Sequence, residues 1–485
     1  MPNYKKKEFV LQQLKKKQQD DLQTKGGKVW AYVYDSGLEE LEEVAMEAYK
    51  MYADHNGLDF TVFPSLLTLE NEIIGKMASL FSKNPEEIAG SFTSGGTESI
   101  MLAVKAARDS AKGNKPHIEN PEIILPVTAH AAFHKAAHYL GLIPIVVPVQ
   151  SDFKVDPKIV KDHISENTIM IVGSSVNYSH GVSDPISKLS EIAIDHDLWF
   201  HVDACIGGFI FAYFKELGID VPDFDFSVAG VSSLSVDLHK YAFAPKGASV
   251  LLYRNKELRK HQFYACTNWT GYPVINTTIQ STKSGGPLAA CWATLNYIGH
   301  DGYKNLIGKI AQTKERMLEL FGNIPEIKIM GKPEASLIAF GSDTIDLFQL
   351  ADEMRKDKWY VQVQPGNEDF EPSIHLTITP ISEERTKEFF SDLTKAIERT
   401  KEKPRSSTVH QLQALFEDPA ELLKPKASML PILLEAAGVS EDGNLPKNMA
   451  TINELLHLLP DEITTEAFLY LTNELFTAKI NTMGE

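Results

Sequence analysis

Cysteine is scarce in this chain of 485 residues: Cys205, Cys266 and Cys291 are the three, and no two stand in CxxC spacing. That excludes a disulfide framework read from spacing and fits a reducing compartment, so the expected location is cytoplasmic. Positive charge is in deficit as well. With 48 Lys+Arg against 65 Asp+Glu the formal net charge is −17, which argues against broad nucleic-acid binding. No apolar run reaches the roughly 18 residues that a membrane-spanning helix needs. The N-terminus lacks the apolar core of a signal peptide, so neither a transmembrane segment nor export is expected. Internal repeats and low-complexity tracts are missing too. What remains is an ordinary globular composition, 43% hydrophobic, on a chain long enough for a large core and two or three domains.

Three motifs carry chemistry, and their order matters. Thr93-Ser94-Gly95-Gly96-Thr97-Glu98-Ser99 leads into a stretch of helix formers running to Arg108. Glycines there let the backbone approach a phosphate, and the helix N-terminus supplies N–H donors. Alone, the segment also reads as a plain N-cap at Thr97 with no ligand. Next, Leu198-Trp199-Phe200-His201-Val202 is a buried-strand run ending in Asp203. A carboxylate at that place can pair with a pyridinium nitrogen and keep the ring a good electron sink, or it can cap the turn that follows. Last comes Ser235-Val236-Asp237-Leu238-His239-Lys240. Lys240 is the candidate Schiff-base amine, and burial is expected to lower its pKa enough for it to react. By itself it reads as a surface lysine at a strand end. A phosphate cradle, a strand-end carboxylate and a lysine, in that order, describe a site for pyridoxal 5'-phosphate.

Further stretches strengthen the pattern: Gly27-Lys28-Val29 with Val33-Tyr34, Phe63-Pro64, Ala129-His130-Ala131-Ala132-Phe133, His180-Gly181, Lys246-Gly247, and Gly285-Gly286 before Ala289-Ala290-Cys291-Trp292. With them, residues 26 to 400 resemble the group II PLP-dependent decarboxylase family, in its sphingosine-1-phosphate lyase branch. The resemblance implies the type I aminotransferase-like (PLP-dependent transferase) fold and a homodimer with its site at the interface. It further implies that His130 stacks on the cofactor ring, that Asp203 binds the ring nitrogen and that Lys240 binds the aldehyde. Gly95, Gly96, Thr97 and His239 meet the cofactor phosphate, with Thr282 reaching in from the partner subunit. Tyr34 assists proton transfer. Asn56, Lys246 and Lys283 face a substrate phosphate.

Three departures bear on substrate. Asn56-Gly57-Leu58-Asp59 puts an aspartate where the family has a phosphate-binding histidine, and Asp59 would repel a dianion. Ser281-Thr282-Lys283 replaces Gly-Ser-Arg, which keeps the charge and loses the bidentate fork. Trp30-Ala31-Tyr32 is much bulkier than the family's Ser-Gly-Ala. The implied reaction is retro-aldol cleavage of a long-chain 3-hydroxy-amine phosphate to a fatty aldehyde and phosphoethanolamine. Loss of CO2 from an L-amino acid is the alternative, since both use the same cofactor apparatus. A non-catalytic scaffold would have shown itself by a lost lysine, aspartate or glycine loop, and all three are present.

Two other signals stand apart from this pattern. His130, His134 and His138 repeat at intervals of four, which on one helical face could approach a zinc site, but no carboxylate or thiol is near and no metal is expected. Lys5 to Lys7 and Lys15 to Lys17, around Phe9, Val10, Leu11 and Leu14, form a short basic amphipathic helix. Its apolar face is expected to pack on the partner subunit, with a membrane surface as the lesser reading.

Residues 1–60 read as helices and a lead-in strand contributing to dimer and site. From 61 to 310, helices alternate with short apolar strands such as 123–125, 145–147, 170–172 and 250–252, an α/β pattern with a mostly parallel sheet covered by helices. Residues 311–402 read as a smaller α+β unit, after a helix at 306–321. A linker signal at 403–407 precedes a helical extension to 485, with amphipathic segments at 429–437 and 465–476.

Overall fold

The structure, a computed structural model, describes residues 5–367, 369–403, 449–458 and 461–477. The linker signal beyond Lys403 and the segment 429–437 lie outside the described residues.

Helices α1 (Lys7–Lys17), α2 (Leu41–Met51) and α3 (Pro64–Phe81) come first. The expected lead-in strand is a single bridge, Val29 to Tyr360. α1 buries none of its residues, and Phe9, Val10, Leu11 and Leu14 stand exposed. Then follow β1 (Ala89–Thr93), α4 (Gly96–Asn114), β2 (Glu122–Pro126), α5 (Ala132–Leu140), β3 (Ile143–Val147), α6 (Pro157–Asp162), β4 (Thr168–Ser174), α7 (Ile186–Asp195), β5 (Trp199–Asp203), α8 (Gly207–Glu216), β6 (Val231–Val236) and β7 (Ser249–Tyr253). They make a seven-stranded sheet in the order β1-β7-β6-β5-β4-β2-β3. β3, β2, β4, β5 and β6 run parallel, and β7 is antiparallel to both β6 and β1. The central strands β4 and β5 are buried along their whole length, as strands covered on both faces must be. That is why they read as continuous apolar runs rather than alternating ones.

A short helix, α9 (Lys256–Arg259), and a hairpin of β8 (Tyr264–Cys266) and β9 (Val274–Asn276) lead to α10 (Gly285–Phe321). α10 starts 21 residues before the helix expected at 306, with one non-helical residue inside it, Gly299 (φ 62°, ψ 176°). The sequence boundary at 310 therefore falls within a helix. Beyond it, β10 (Lys328–Ile329), β11 (Leu337–Gly341), α11 (Leu347–Lys356), β12 (Gln362–Gln364), β13 (Ser373–Thr377) and α12 (Ser382–Lys401) build an antiparallel sheet, β10-β11-β13-β12, with helices against it. Asp346 caps α11 by accepting from Phe348 N (2.9 Å) and Gln349 N (3.1 Å).

α13 (Ala450–Leu458) and α14 (Asp461–Leu475) belong to the extension. The buried Asp352 of α11 holds the first of these, taking Met449 N at 2.9 Å and Ala450 N at 3.0 Å on its two oxygens.

Trp30 settles differently from expectation. Its indole is 1% exposed, stacks on Phe389 at 4.2 Å and meets Trp359 edge-on at 5.9 Å. The bulk goes into the packing of the smaller sheet and its helices. Tyr32, by contrast, is exposed.

Candidate active site

Parallel strands end their side chains and following loops on one edge of a sheet, and ligands of α/β sheets gather there. Here the C-terminal ends of β4, β5 and β6 and the N-terminus of α4 enclose a cavity of about 340 Å³. Gly95, Gly96, Thr97, His130, Asp203, His239 and Lys240 all line it.

The cradle is built by two glycines. Gly95 sits at φ 155°, ψ 170°, a backbone state that L side chains seldom adopt. At Gly96 an added Cβ would meet the Asp237 carboxylate at 2.8 Å. α4 starts with no side-chain cap, so Thr97 is not the N-cap and the first N–H groups stay available. Glu98 braces the loop instead, accepting Ser94 N at 2.6 Å and Ile279 N at 2.9 Å.

Asp203 ends β5. Its Oδ1 accepts from Cys205 N (3.1 Å) and the Ser235 hydroxyl (3.4 Å), which fixes the carboxylate at the cavity wall. The turn-capping and ligand readings of this residue therefore coexist. His130 precedes α5 and accepts Ala132 N on Nδ1 at 3.1 Å, so its neutral ring carries a proton on Nε2. Because it lies outside the helix, His130 does not share a helical face with His134 and His138, which are exposed. Among the described residues, no group of three His, Cys, Asp or Glu is placed to hold a metal.

Lys240 departs from the expected pKa. Burial does work to lower it, but the Asp237 carboxylate at 3.0 Å, with Tyr34, Cys205 and Asp203, outweighs burial and raises it. The ammonium is thus the stable form in this geometry, and a proton acceptor is needed before the amine can react. Tyr34 packs edge-on to Tyr241 at 5.1 Å, and burial pushes its hydroxyl up to about 12 despite the opposing pull of Lys240. Lys246 lies over the Tyr34 ring at 4.7 Å and donates to Tyr32 O at 3.0 Å. Desolvation, then repulsion from Lys240, pushes Lys246 down to about 8.

Asn56, Asp59, Thr282 and Lys283 are not brought to this cavity within one chain. Two of their segments meet elsewhere: Asn56 bridges Ser284, and Gly57 N donates to Lys283 O at 2.7 Å. Lys283 is already paired with Glu70 at 2.8 Å, both side chains mostly buried. Exposed Asp59 accepts from Thr61 N (2.8 Å) and Thr61 Oγ1 (2.6 Å), bonds that hold its carboxyl below the usual range.

Among the residues that line the cavity, sequence reasoning gave no role to Tyr178 or to Asp237. Tyr178 stacks on His375 at 4.5 Å and faces His130 edge-on at 6.4 Å. Its only signal was an aromatic two places before His180-Gly181. Asp237 lay inside the lysine motif but carried no sign of its contact with Gly96.

The donor set fits a phosphate-bearing aromatic aldehyde: uncapped N–H groups and glycines for the phosphate, a strand-end carboxylate for a ring nitrogen and an enclosed amine for the aldehyde. Residues 27–342 match the model of the pyridoxal-dependent decarboxylase conserved domain. Residues 410–474 match the C-terminal HTH domain model of pyridoxal-dependent enzymes, so the extension is a recognised module in its own right. The chain is 40% identical to the sphingosine-1-phosphate lyase of Arabidopsis thaliana over 81% of its own length and 73% of that protein's. It is 33% identical to the probable L-aspartate decarboxylase of Pyrococcus furiosus over 74% of this chain and 93% of that one. The solved sphingosine-1-phosphate lyase of Burkholderia pseudomallei superposes with a TM-score of 0.78 at 33% identity, covering 86% of this chain and 97% of the other.

Proposed function

The chain belongs to the pyridoxal-dependent decarboxylase family, and we propose that it is a carbon–carbon lyase of that family, cleaving a long-chain 3-hydroxy-amine phosphate to a fatty aldehyde and phosphoethanolamine. The observation that carries this choice is Lys246 seated over Tyr34 beside the Lys240 cavity. A second cation next to the reacting lysine suits a substrate with an anionic phosphate end, and its neighbouring phenol suits proton transfer. The alternative, decarboxylation of an L-amino acid, is favoured by the likeness to the Pyrococcus furiosus protein.

Bound pyridoxal phosphate supplies the electron sink for the pair released when a bond to the amine carbon breaks. The chain's own residues do the rest in this reading. Gly95, Gly96 and Thr97 would hold the phosphate with His239, Asp203 would keep the ring nitrogen protonated, and His130 would stack on the ring. Tyr34, kept protonated by burial, holds a proton at its hydroxyl oxygen that it can donate in the course of the cleavage. Lys246 orients the anionic end.

The working unit is a homodimer in the cytoplasm, with Asn56, Asp59, Thr282 and Lys283 of each chain facing the partner's cavity. That none of the four lines its own chain's cavity, and that the apolar face of α1 is uncovered, support it. No described helix is long and apolar enough to cross a membrane. Residues 1–60 serve dimer and site, 61–310 bind cofactor, 311–402 form the smaller unit, and 403–485 extend it.

The test is a product assay by mass spectrometry on protein reconstituted with pyridoxal phosphate. A long-chain 3-hydroxy-amine phosphate should give fatty aldehyde and phosphoethanolamine. Amines and CO2 from a mixture of L-amino acids, with no aldehyde from the first substrate, would replace the lyase reading with the decarboxylase one.

A further inference from the structure

Asp237 has no task in the roles assigned so far, yet it is the most enclosed charge of the cavity. It follows β6 directly and is 3% exposed. Oδ2 is 3.0 Å from Lys240 Nζ. Oδ1 is fully enclosed and has no hydrogen-bond partner among the described residues. Both oxygens crowd the cradle, since a Cβ on Gly96 would meet Oδ2 at 2.8 Å and Oδ1 at 2.9 Å. An unpartnered buried oxygen is costly, and one beside a phosphate site calls for a proton to donate. An ionised carboxylate there would repel the phosphate.

The surroundings narrow the source of that proton. His239 Nε2 is 3.6 Å from Oδ2, and its Nδ1 accepts Ala248 N at 3.2 Å, so a neutral His239 has its one proton on Nε2. Lys246, Tyr34 and Cys205 sense Asp237 from farther out, and Asp203 acts on Lys240. Burial works to raise the Asp237 carboxyl, but Lys240 and His239 outweigh it and hold it below the usual range, so it stands ionised until loading removes the lysine's charge. Lys240 is the cation in contact.

We propose that Asp237 accepts the proton of Lys240 as the cofactor is loaded, and then faces the cofactor phosphate as a neutral acid. In that step a proton moves from Nζ to Oδ2. The freed lone pair bonds to the aldehyde carbon, and the aldehyde oxygen leaves as water with the two remaining Nζ hydrogens. Nothing is oxidised or reduced. The inference rests on placing the cofactor phosphate at Gly95 to Thr97 and is independent of which bond the enzyme later breaks.

Infrared difference spectra of loaded minus unloaded protein read the carboxyl directly. A protonated-carboxyl band should appear on adding pyridoxal phosphate to the wild type, shift with 13C-aspartate labelling and be missing in Asp237→Asn. In parallel, the apparent Kd for pyridoxal phosphate should stay flat with pH in the wild type, where the pair keeps the proton, and tighten about tenfold per pH unit as pH rises in Asp237→Asn, where the lysine proton is released to solvent. Asp237→Ser serves in place of the asparagine variant if that one does not fold. A loaded wild type without the band, or pH curves that run parallel in wild type and variant, would overturn the proposal. A wild type that binds no cofactor at all, seen as no absorbance change, overturns the placement of the cofactor and this inference with it. Amine release in the product assay leaves it standing.

Discussion

Trp30 stacks on Phe389 at 4.2 Å with the rings 9° from parallel, and this contact ties the segment that carries Tyr34 to the smaller sheet's helices. The backbone repeats the tie: Trp30 N donates to Tyr360 O at 2.9 Å, and Trp30 O accepts Thr377 N at 2.7 Å. Four residues on, Tyr34 reaches the edge of Tyr241, whose hydroxyl donates to Ile378 O at 3.1 Å. A large-to-small change at Trp30 leaves a cavity in this join. Trp30→Ala should cost about 3–5 kcal/mol in chemical denaturation. It should also lower kcat beyond what Phe389→Leu does, because Tyr34 loses its anchor. Unchanged stability would mean that the join does not bear load.

Tyr34 is held protonated by burial, which suits it to pass a proton. Tyr34→Phe keeps the edge contact with Tyr241 and removes the hydroxyl. It should cut kcat by about 10²–10⁴, while the absorbance of bound pyridoxal phosphate stays as in the wild type. Equal loss of cofactor and activity would make Tyr34 a binding residue.

Lys246 titrates near 8, pushed down by desolvation first and by Lys240 second. It is therefore an ammonium below about pH 8 and an amine above it. If it meets a substrate phosphate, KM should be lowest on the acid side and rise through that range. Lys246→Met should raise KM at pH 7 and flatten the profile. Steady-state kinetics from pH 6.5 to 9.5, about 1.5 units either side of the titration, decides it.

Asp352 caps α13 with both carboxylate oxygens. Asp352→Ala should remove about 1 kcal/mol from that attachment. The extension should then be cut faster by protease while the remainder of the chain melts as before. Equal cleavage would place the attachment elsewhere, for instance at the Phe348–His457 ring contact of 6.2 Å.

The strands were legible because each is a short apolar run between turns. β2, β4, β5 and β7 fall where those runs lie, since strands covered on both faces need apolar residues at every place. α11 begins at Leu347 because the Asp346 carboxylate before it caps its first N–H groups. α10 was legible only in its second half. Its first half starts at Gly285-Gly286, a pair that propensity alone reads as a turn, and packing against α2 and α3 overrides that. The three cofactor motifs could be found because each sits at the end of a strand or start of a helix and is local in sequence.

What the sequence determined by itself is the kind of chemistry: a glycine cradle, an aspartate and a lysine in fixed order leave few other readings. Tertiary structure alone decided the charge states and the bulk. Trp30 stands in the sequence where it threatens the site, and folding turns it into the core. Lys240 stands where burial should neutralise it, and a carboxylate three residues away keeps it charged instead. Asp59 and Lys283, weighed from sequence as free charges, are bound to Thr61 and Glu70. Electrostatic energy depends on distances of a few ångströms between groups that may be hundreds of residues apart. A linear pattern records which charges exist, and the fold decides which of them face each other.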